Sequence, residues 1–235
     1  MKDFLFVGLS EAELSALLVS IRVALFCAFV SLPVAVWLGW FLARKNFRLK
    51  PVIEAVLHIP MVMPPVTTGY ILLILLGMNG FLGRSLENQF SLRIAFTFPA
   101  AVIASVIVSL PLAVRAVKQA VEMVDKRLED AAEILGAGNL KVFFTITAPL
   151  AFPGILSGFL LSFTRSLGEF GATITFAGNT FGETRTIPLA LFSAMQTPGK
   201  EGEAFRLMVI SIVISFIAML ISELVNRRYK KSTGL

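Results

Sequence analysis

Five charged or hydroxyl-bearing side chains in strongly apolar surroundings are the candidates for chemistry in this chain. Arg165 and Glu169 lie four residues apart, so on a continuing helix they would share a face and pair. Thr67, Thr68 and Arg185 add hydrogen-bond donors. Charged groups at membrane depth are functional candidates, and this donor set could contact an anion in passage. A second reading also stays open, in which Arg165 and Glu169 neutralise each other and fix one helix to its neighbour.

Other kinds of chemistry lack the residues they need. One histidine and one cysteine cannot supply a zinc site with the usual spacing. No Ser–His–Asp set is evident, and nothing matches the phosphate-binding pattern G-x-x-x-x-G-K-[ST]. We therefore predict that the chain is not an enzyme and binds no cofactor of its own. If ATP drives its activity, ATP and magnesium bind to another chain.

The composition is that of a membrane protein. Apolar residues make up 56% of the chain and charged residues 15%, with a mean hydropathy of +0.82, whereas soluble domains have about 25% charged residues. Runs that are free of charge, apart from Glu223 in the last, approach the roughly 20 residues that a helix needs to cross a bilayer. We predict an all-α integral membrane protein, a single domain over 1–235, with about five transmembrane helices. The runs are 23–43, 59–83, 94–114, 142–164 and 207–226.

The region 170–199 is less regular. Its apolar runs are interrupted by Glu183, Arg185 and Pro188. We predict a loop with a short helix at 187–195, packed at the membrane face. The alternative is a sixth, irregular span.

Prolines cluster in the second predicted span. Pro60, Pro64 and Pro65 remove backbone donors and disturb helix geometry. In a membrane the freed carbonyl groups need partners in the protein or in a water-filled path. The cluster predicts either a broken helix beside a translocation route or a kink that shapes packing.

The basic residues predict the orientation. One side of the membrane receives Arg44, Lys45, Arg48, Lys50, Arg115, Lys118, Lys126, Arg127, Lys141, Arg227, Arg228, Lys230 and Lys231; the other receives only Lys2, Arg22, Arg84, Arg93, Arg185, Lys200 and Arg206. Because the more basic side is cytoplasmic, we predict that the N-terminus lies outside and that the segment 115–149 and the C-terminus lie inside. The net charge of +6 therefore indicates membrane topology and not nucleic-acid binding.

The segment 115–149 is charged, yet its apolar residues follow helical spacing. They are Val117, Val121, Val124, Leu128, Ala131 and Leu135. We predict a continuous amphipathic helix that either binds a partner or lies on the membrane surface. Gly136 and Gly138 would then end it in left-handed geometry, and Pro149 stands near the start of the next span.

The same segment carries a spaced motif: Asp130-Ala131-Ala132, three residues, Gly136, nine residues, Ile146, one residue, then Ala148-Pro149. It resembles the EAA motif, E-A-A-x3-G-x9-I-x-L-P, of the permease subunits of bacterial ABC importers, with Asp130 in place of Glu and Ala148 in place of Leu. The resemblance implies that this cytoplasmic loop contains a coupling helix that docks into a separate ATPase. The coupling residues it implies are Glu129, Asp130, Ala131, Ala132, Leu135, Gly136, Ile146 and Pro149.

The resemblance extends over nearly the whole chain. LHIPMVMPPVTTGYILL, LEDAAEILGAGNLKVFFTITAPL, SLGEFGATITF and GETRTIPLALF are similar to molybdate permease subunits. The sulfate permeases, which are near relatives, tend to carry a GEYGS-like segment where this chain has GEFGA at 168–172.

This similarity implies an ATP-driven importer of molybdate, with tungstate as a further cargo, in the inner membrane of a bacterium or archaeon. It implies a homodimer that works with two ATPase subunits and an external oxyanion-binding protein, which Arg185 could face if it is not simply solvated. The alternatives are a sulfate or thiosulfate importer of the same design, and a self-sufficient channel or ion-coupled carrier.

Overall fold

The chain folds into helices joined by short connections. The computed structural model describes residues 9–233, and these residues contain no β-strand, which confirms the predicted all-α fold. Between α7 and α8 the backbone forms a π-helical turn at Phe143–Thr147. The helices are α1 (Glu11–Arg44), α2 (Lys50–Val62), α3 (Pro65–Leu76), α4 (Phe81–Phe90), α5 (Phe98–Met123), α6 (Lys126–Ile134), α7 (Asn139–Val142), α8 (Ala148–Leu167), α9 (Gly171–Phe176), α10 (Ile187–Met195) and α11 (Glu201–Thr233).

Four stretches are long and apolar enough to cross a membrane: α1, α5, Asn139–Leu167 and the first part of α11. The α2–α3 pair makes a fifth candidate, bent by 109° at its break. The predicted number of about five spans agrees with this arrangement. The short helix predicted in 170–199 is α10, with the predicted bounds, whereas α9 was not predicted. Neither helix approaches the roughly 20 residues of a span. The region 170–199 therefore contains no single helix that could be the sixth span of the alternative prediction.

The second span differs from its prediction in both bounds and shape. The predicted run 59–83 is divided between α2, α3 and the start of α4. The break falls at Met63 and Pro64, where Met63 is extended (ψ 148°) and Pro65 begins the next helix. Pro60, by contrast, stays inside α2. The predicted break in the helix is confirmed, and the paired prolines are its cause because neither has an N–H to continue the ladder. Its position beside a translocation route stays a prediction.

Helix α5 is the central helix of the bundle and packs against α1 and α8. Its contacts use small residues: a side chain at Gly154 of α8 would overlap the Cβ of Ala120. Close backbone approach of this kind is how membrane helices gain packing energy without a hydrophobic driving force. The large apolar side chains of α11, in contrast, are mostly exposed, as expected of a face that meets lipid or another chain.

Helix α1 begins twelve residues before its predicted apolar run. Ser10 caps it, with the Glu13 N–H donating to the Ser10 hydroxyl and the Ser10 N–H donating to the Glu13 carboxylate. Glu13 is buried and also accepts a hydrogen bond from Arg206 Nε of α11, at 2.7 Å. Ser20 on the same helix accepts the N–H of Ile187 and so fixes the start of α10. The N-terminal ends of the first and last described helices are thereby tied together.

Candidate functional site

The predicted coupling helix is a separate, shorter helix than the apolar spacing indicated. Helix α5 ends at Met123, Val124 is extended (ψ 123°), and Asp125 starts α6 by accepting the Arg127 N–H at 2.9 Å. The predicted stripe is therefore divided between two helices. Its first half, including Val117 and Val124, lies in the core between α1, α5 and α8, so the prediction of one continuous amphipathic helix is wrong.

The outer face of α6 and the turn that follows carry large apolar side chains that are almost fully exposed. Ile134 is 86% exposed and Leu135 88%, and Leu140 and Phe144 follow at 76% and 68%. These four residues form what we call the apolar tip. Exposed apolar groups in an otherwise charged segment mark an interaction site. Of the other predicted coupling residues, Asp130, Ala131 and Pro149 are also exposed, while Ala132 and Ile146 are half-buried.

The end of α6 depends on Gly136. Its φ is +87°, and its N–H donates to the Glu133 carbonyl while the Ala137 N–H reaches back to Ala132. This is the left-handed helix ending that was predicted for Gly136. Gly138 has a φ of −72° and instead begins α7, so the prediction of left-handed geometry there is wrong.

Glu129 is placed differently from the other predicted coupling residues. It is 7% exposed and turned towards the bundle. Its carboxylate accepts a hydrogen bond from Arg44 Nη2 at 2.9 Å and another from the Thr147 hydroxyl. Arg44 is the last residue of α1, and Thr147 ends the π-helical turn. Glu129 therefore has partners inside its own chain.

The π-helical turn leads directly into α8. The Ala148 N–H donates to the Phe143 carbonyl, five residues earlier. Pro149, which follows, has no N–H to give to the Thr145 carbonyl, so an α-helical pattern could not be completed here. The π-helical turn ends at Thr147, whose hydroxyl donates to Glu129.

A shallow cavity of about 200 Å³ lies between the end of α1 and the helices α6 and α7. These two helices belong to the segment 115–149, which we call the coupling segment after its predicted role. Its lining combines cations (Arg44, Lys45, Lys126) with carboxylates (Glu129, Asp130, Glu133) and with Trp40 and Phe143. The three cations and three carboxylates of the lining cancel in formal charge, so the cavity has no net preference for an anion.

At the other end of the bundle, Arg165 and Glu169 form the predicted ion pair, with Nη1 and Oε2 2.9 Å apart. The helix does not continue between them as expected: α8 ends at Leu167, and Glu169 lies beyond Gly168. Glu169 is 2% exposed and also accepts the Ala172 N–H at the start of α9. The ion pair thus holds the start of α9 against the end of α8. A contact with substrate stays a prediction.

Arg185 stabilises the loop before α10. Its Nε donates to the Asn179 side chain at 2.9 Å, and its guanidinium lies 5.9 Å from the centre of the Phe181 ring. The side chain is half-buried. The structure therefore gives Arg185 a role within the loop that neither of the sequence-based readings included.

Several buried hydroxyl groups lack a hydrogen-bond partner among the described residues. Thr68 is one, whereas its neighbour Thr67 is exposed. Unpaired hydroxyls are costly in a dry interior and invite water or a polar ligand. Sequence reasoning singled out Thr68 among them but missed Thr173, because α9 was not predicted. The buried hydroxyl groups without a partner belong to Thr68, Ser105, Ser162, Ser166, Thr173 and Thr186.

The hydroxyls of α3 and α9 belong to closely packed helices. A side chain at Gly69 would come within 2.6 Å of the Ala172 carbonyl oxygen, and one at Gly171 within 2.7 Å of Pro65 Cβ. Two glycines that face each other's helix bring α9 against the second half of the broken span. Thr68 and Thr173 are therefore carried by one compact unit.

Comparison with known proteins agrees with this geometry. The profile of the family described as "Binding-protein-dependent transport system inner membrane component" matches residues 35–231. The chain belongs to this family. ModB, the molybdenum transport system permease protein, is 49% identical in Haemophilus influenzae over 94% of this chain and 97% of the relative, and 48% identical in Escherichia coli K12 over 96% and 99%.

Solved permeases of this kind share the fold. A bacterial ABC transporter that imports the polysaccharide alginate superposes with a TM-score of 0.77 at 14% identity, covering 97% of this chain and 83% of that one. The MetNI methionine ABC transporter gives a TM-score of 0.66, also at 14% identity, over 94% and 99%. This chain is thus a multi-pass inner-membrane component of a binding-protein-dependent transport system.

Proposed function

We propose that this chain is the permease subunit of an ATP-driven importer of molybdate, with tungstate as a further cargo. The observation that carries the proposal is the 48–49% identity to ModB proteins over nearly the full length of both chains. The matched region covers 94–96% of this chain and 97–99% of the relatives, so the similarity is not confined to the segment 115–149 and supports the cargo as well as the transport mechanism.

The coupling segment supports a separate ATPase as the motor. The apolar tip offers Leu135 and Ile134 for burial in a cleft, and Asp130 beside it offers a charge at the first turns of α6. Burying side chains of this size is worth about 1.5–3 kcal/mol each. ATP and magnesium would bind in the ATPase, whose closure would move the two coupling helices together.

The exposed apolar faces of α2 and α3 support a homodimer, in which a second copy of the chain forms the other side of the path. Helix α2 has no buried residue, and many large apolar side chains of α2 and α3 are exposed, including Val56, Val62 and Ile74. A two-fold pair would cover part of these faces and enclose a route between the copies. The distribution of basic residues supports an outer N-terminus and a cytoplasmic coupling segment.

The outer half of the chain supports weak contact with an oxyanion. Glu169 already neutralises Arg165, so this guanidinium is not free to hold an anion tightly. The buried hydroxyls of Thr68 and Thr173 could donate to a tetrahedral anion without holding it tightly. Strong, selective binding would then belong to the external binding protein, and release into the cell would stay fast.

The test is uptake into liposomes that contain this chain, its ATPase and the binding protein. We expect labelled molybdate to enter only with ATP inside, and excess tungstate to compete. Efficient competition by sulfate at equal concentration would overturn the molybdate assignment. Flux through the chain alone, without the ATPase or nucleotide, would overturn the importer mechanism in favour of a channel or ion-coupled carrier.

A further inference from the structure

The connection from α5 to the coupling helix α6 is only two residues long and extended. Val124 and Asp125 have ψ angles of 123° and 118°. The Val124 N–H bonds back to the Val121 carbonyl and the Asp125 carbonyl accepts the Leu128 N–H, but none of these bonds joins α5 to α6 across the link. Contacts from elsewhere in the fold therefore help to set the angle between the two helices.

Arg44, at the end of α1, makes contacts on both sides of this link. Its Nη2 donates to the Val124 carbonyl at 3.1 Å and to Glu129 Oε1 at 2.9 Å. Its Nε lies 2.8 Å from the second carboxylate oxygen, Oε2. One guanidinium nitrogen thus bonds to Val124 and to the middle of α6 at once, and Nε adds a second charged contact to the same carboxylate, which the single nitrogen of an ammonium could not make.

Glu129 closes the arrangement on the other side. The Thr147 hydroxyl donates to Oε1, the oxygen that Arg44 Nη2 also approaches. Thr147 immediately precedes α8, so one carboxylate joins α6 to the ends of α1 and α5 and to the start of α8. Both charged side chains are mostly buried, with side-chain exposures of 14% for Arg44 and 9% for Glu129. Buried charges that are paired and hydrogen-bonded hold their geometry firmly, because any separation leaves them unsolvated.

We propose that Glu129 and Arg44 are positioning residues that brace the coupling helix against the membrane helices, and that Glu129 is not a contact to the ATPase. This proposal rests on the proposed function. Movement of α6 is delivered through the brace to α1 and α8 together. Without the brace, α6 pivots on the extended link and part of the movement is lost. Asp130, the exposed neighbour, keeps its place on the outer face.

The first experiment measures movement directly. Spin labels are placed at Asn46, just beyond α1, or at Arg127 on α6, in a background with Cys27→Ala, within the reconstituted complex with the ATPase and binding protein. Asn46 and Arg127 are exposed. In the parent complex, distances between copies should change on trapping with ATP and vanadate at both labels. In Glu129→Gln, the change should persist at Arg127 and fall by at least half at Asn46.

The second experiment measures coupling. We expect Glu129→Gln and Arg44→Lys to bind the ATPase with unchanged affinity, while molybdate imported per ATP hydrolysed falls by at least about fivefold, which is a typical allosteric coupling factor. The charge exchange Arg44→Glu with Glu129→Arg should recover part of this ratio. A purely structural role would lower the yield of complex and leave the ratio unchanged.

The matched control is the external ion pair Arg93–Glu87, which has the same residue types and the same 2.8 Å separation. Arg93→Lys and Glu87→Gln should leave both readouts at the parent values. If distance changes at Asn46 survive in Glu129→Gln, or if Glu129→Gln weakens ATPase binding, the brace is refuted. Absence of any ATP-dependent movement in the parent complex would instead refute the proposed function.

Discussion

The left-handed turn at Gly136 gives the sharpest prediction about ATPase binding. A Cβ at this position would meet nothing within 4 Å, so a substitution meets no steric clash and acts through the backbone alone. At a φ of +87°, an ordinary L-residue costs about 1–2 kcal/mol, and strained backbone conformations reach about 3 kcal/mol. Because β-branched residues suffer most at positive φ and Asn least, the series Asn, Ala, Val should be increasingly unfavourable.

The strain of a Gly136 variant should lower the affinity for the ATPase and not the stability of the permease fold. The turn is exposed and makes few contacts, so Gly136→Val should change the unfolding temperature of the permease little. The ATPase must instead supply the energy that restores the turn. With tenfold in Kd for each 1.4 kcal/mol, 1–3 kcal/mol weakens binding from about fivefold to about 150-fold. The assay is biolayer interferometry of the ATPase on permease in nanodiscs.

Gly138 supplies the matched control. It is two residues away and also has open space around it, but its φ of −72° is comfortable for any residue. We expect Gly138→Val to bind the ATPase like the parent. Equal losses for Gly136→Asn and Gly136→Val would refute the backbone argument, and a parent-like Gly136→Val would refute the role of the turn in docking.

Three further predictions concern the membrane helices. Arg206→Met leaves the buried Glu13 without its charged partner, which usually costs about 3–5 kcal/mol. The unfolding temperature in detergent should therefore fall clearly, and it should recover when Glu13→Gln is added to Arg206→Met. Equal unfolding temperatures for the single and double variants would contradict this. Gly154→Ala should cost about 1–3 kcal/mol by overpacking, measured in the same melt, and Ala120→Gly should restore it; a loss that persists in the double variant would place the strain elsewhere. Thr68→Val removes an unpaired hydroxyl at constant shape, so stability should hold or rise while molybdate uptake slows, and unchanged uptake would remove Thr68 from the path.

The sequence predicted the elements that are determined by the residues within them or directly beside them. The break in the second span is produced by Pro64 and Pro65 themselves. The bounds of α10 are set by Thr186 and Pro188 at its start and by the polar residues after Met195. The turn at Gly136 follows from glycine in a spaced motif.

Contacts between distant residues explain what the sequence did not reveal. Helix α1 begins twelve residues before the predicted run, because the Ser10–Glu13 capping box starts it locally and Arg206, 193 residues away, pairs with Glu13. Glu129 directly precedes the spaced motif and was predicted to contact the ATPase, yet it turns inward because Arg44 and Thr147 meet it there. The prediction of one continuous amphipathic helix was wrong for a related reason. The apolar residues on the buried face of α5 and on the exposed face of α6 keep the same helical spacing across the extended link, so the sequence does not reveal the break.

The paired prolines have a consequence for hydration. In an unbroken helix the carbonyl groups of Pro60 and Met61 would bond to the N–H groups of residues 64 and 65, and prolines stand at both positions. Within hydrocarbon, backbone carbonyls left in this way need water or another part of the protein. We therefore expect water to reach the break between α2 and α3, since the carbonyl groups of Pro60 and Met61 have no N–H four residues ahead to bond. A hydrated break would give a passing polar group solvent partway along the α2–α3 pair.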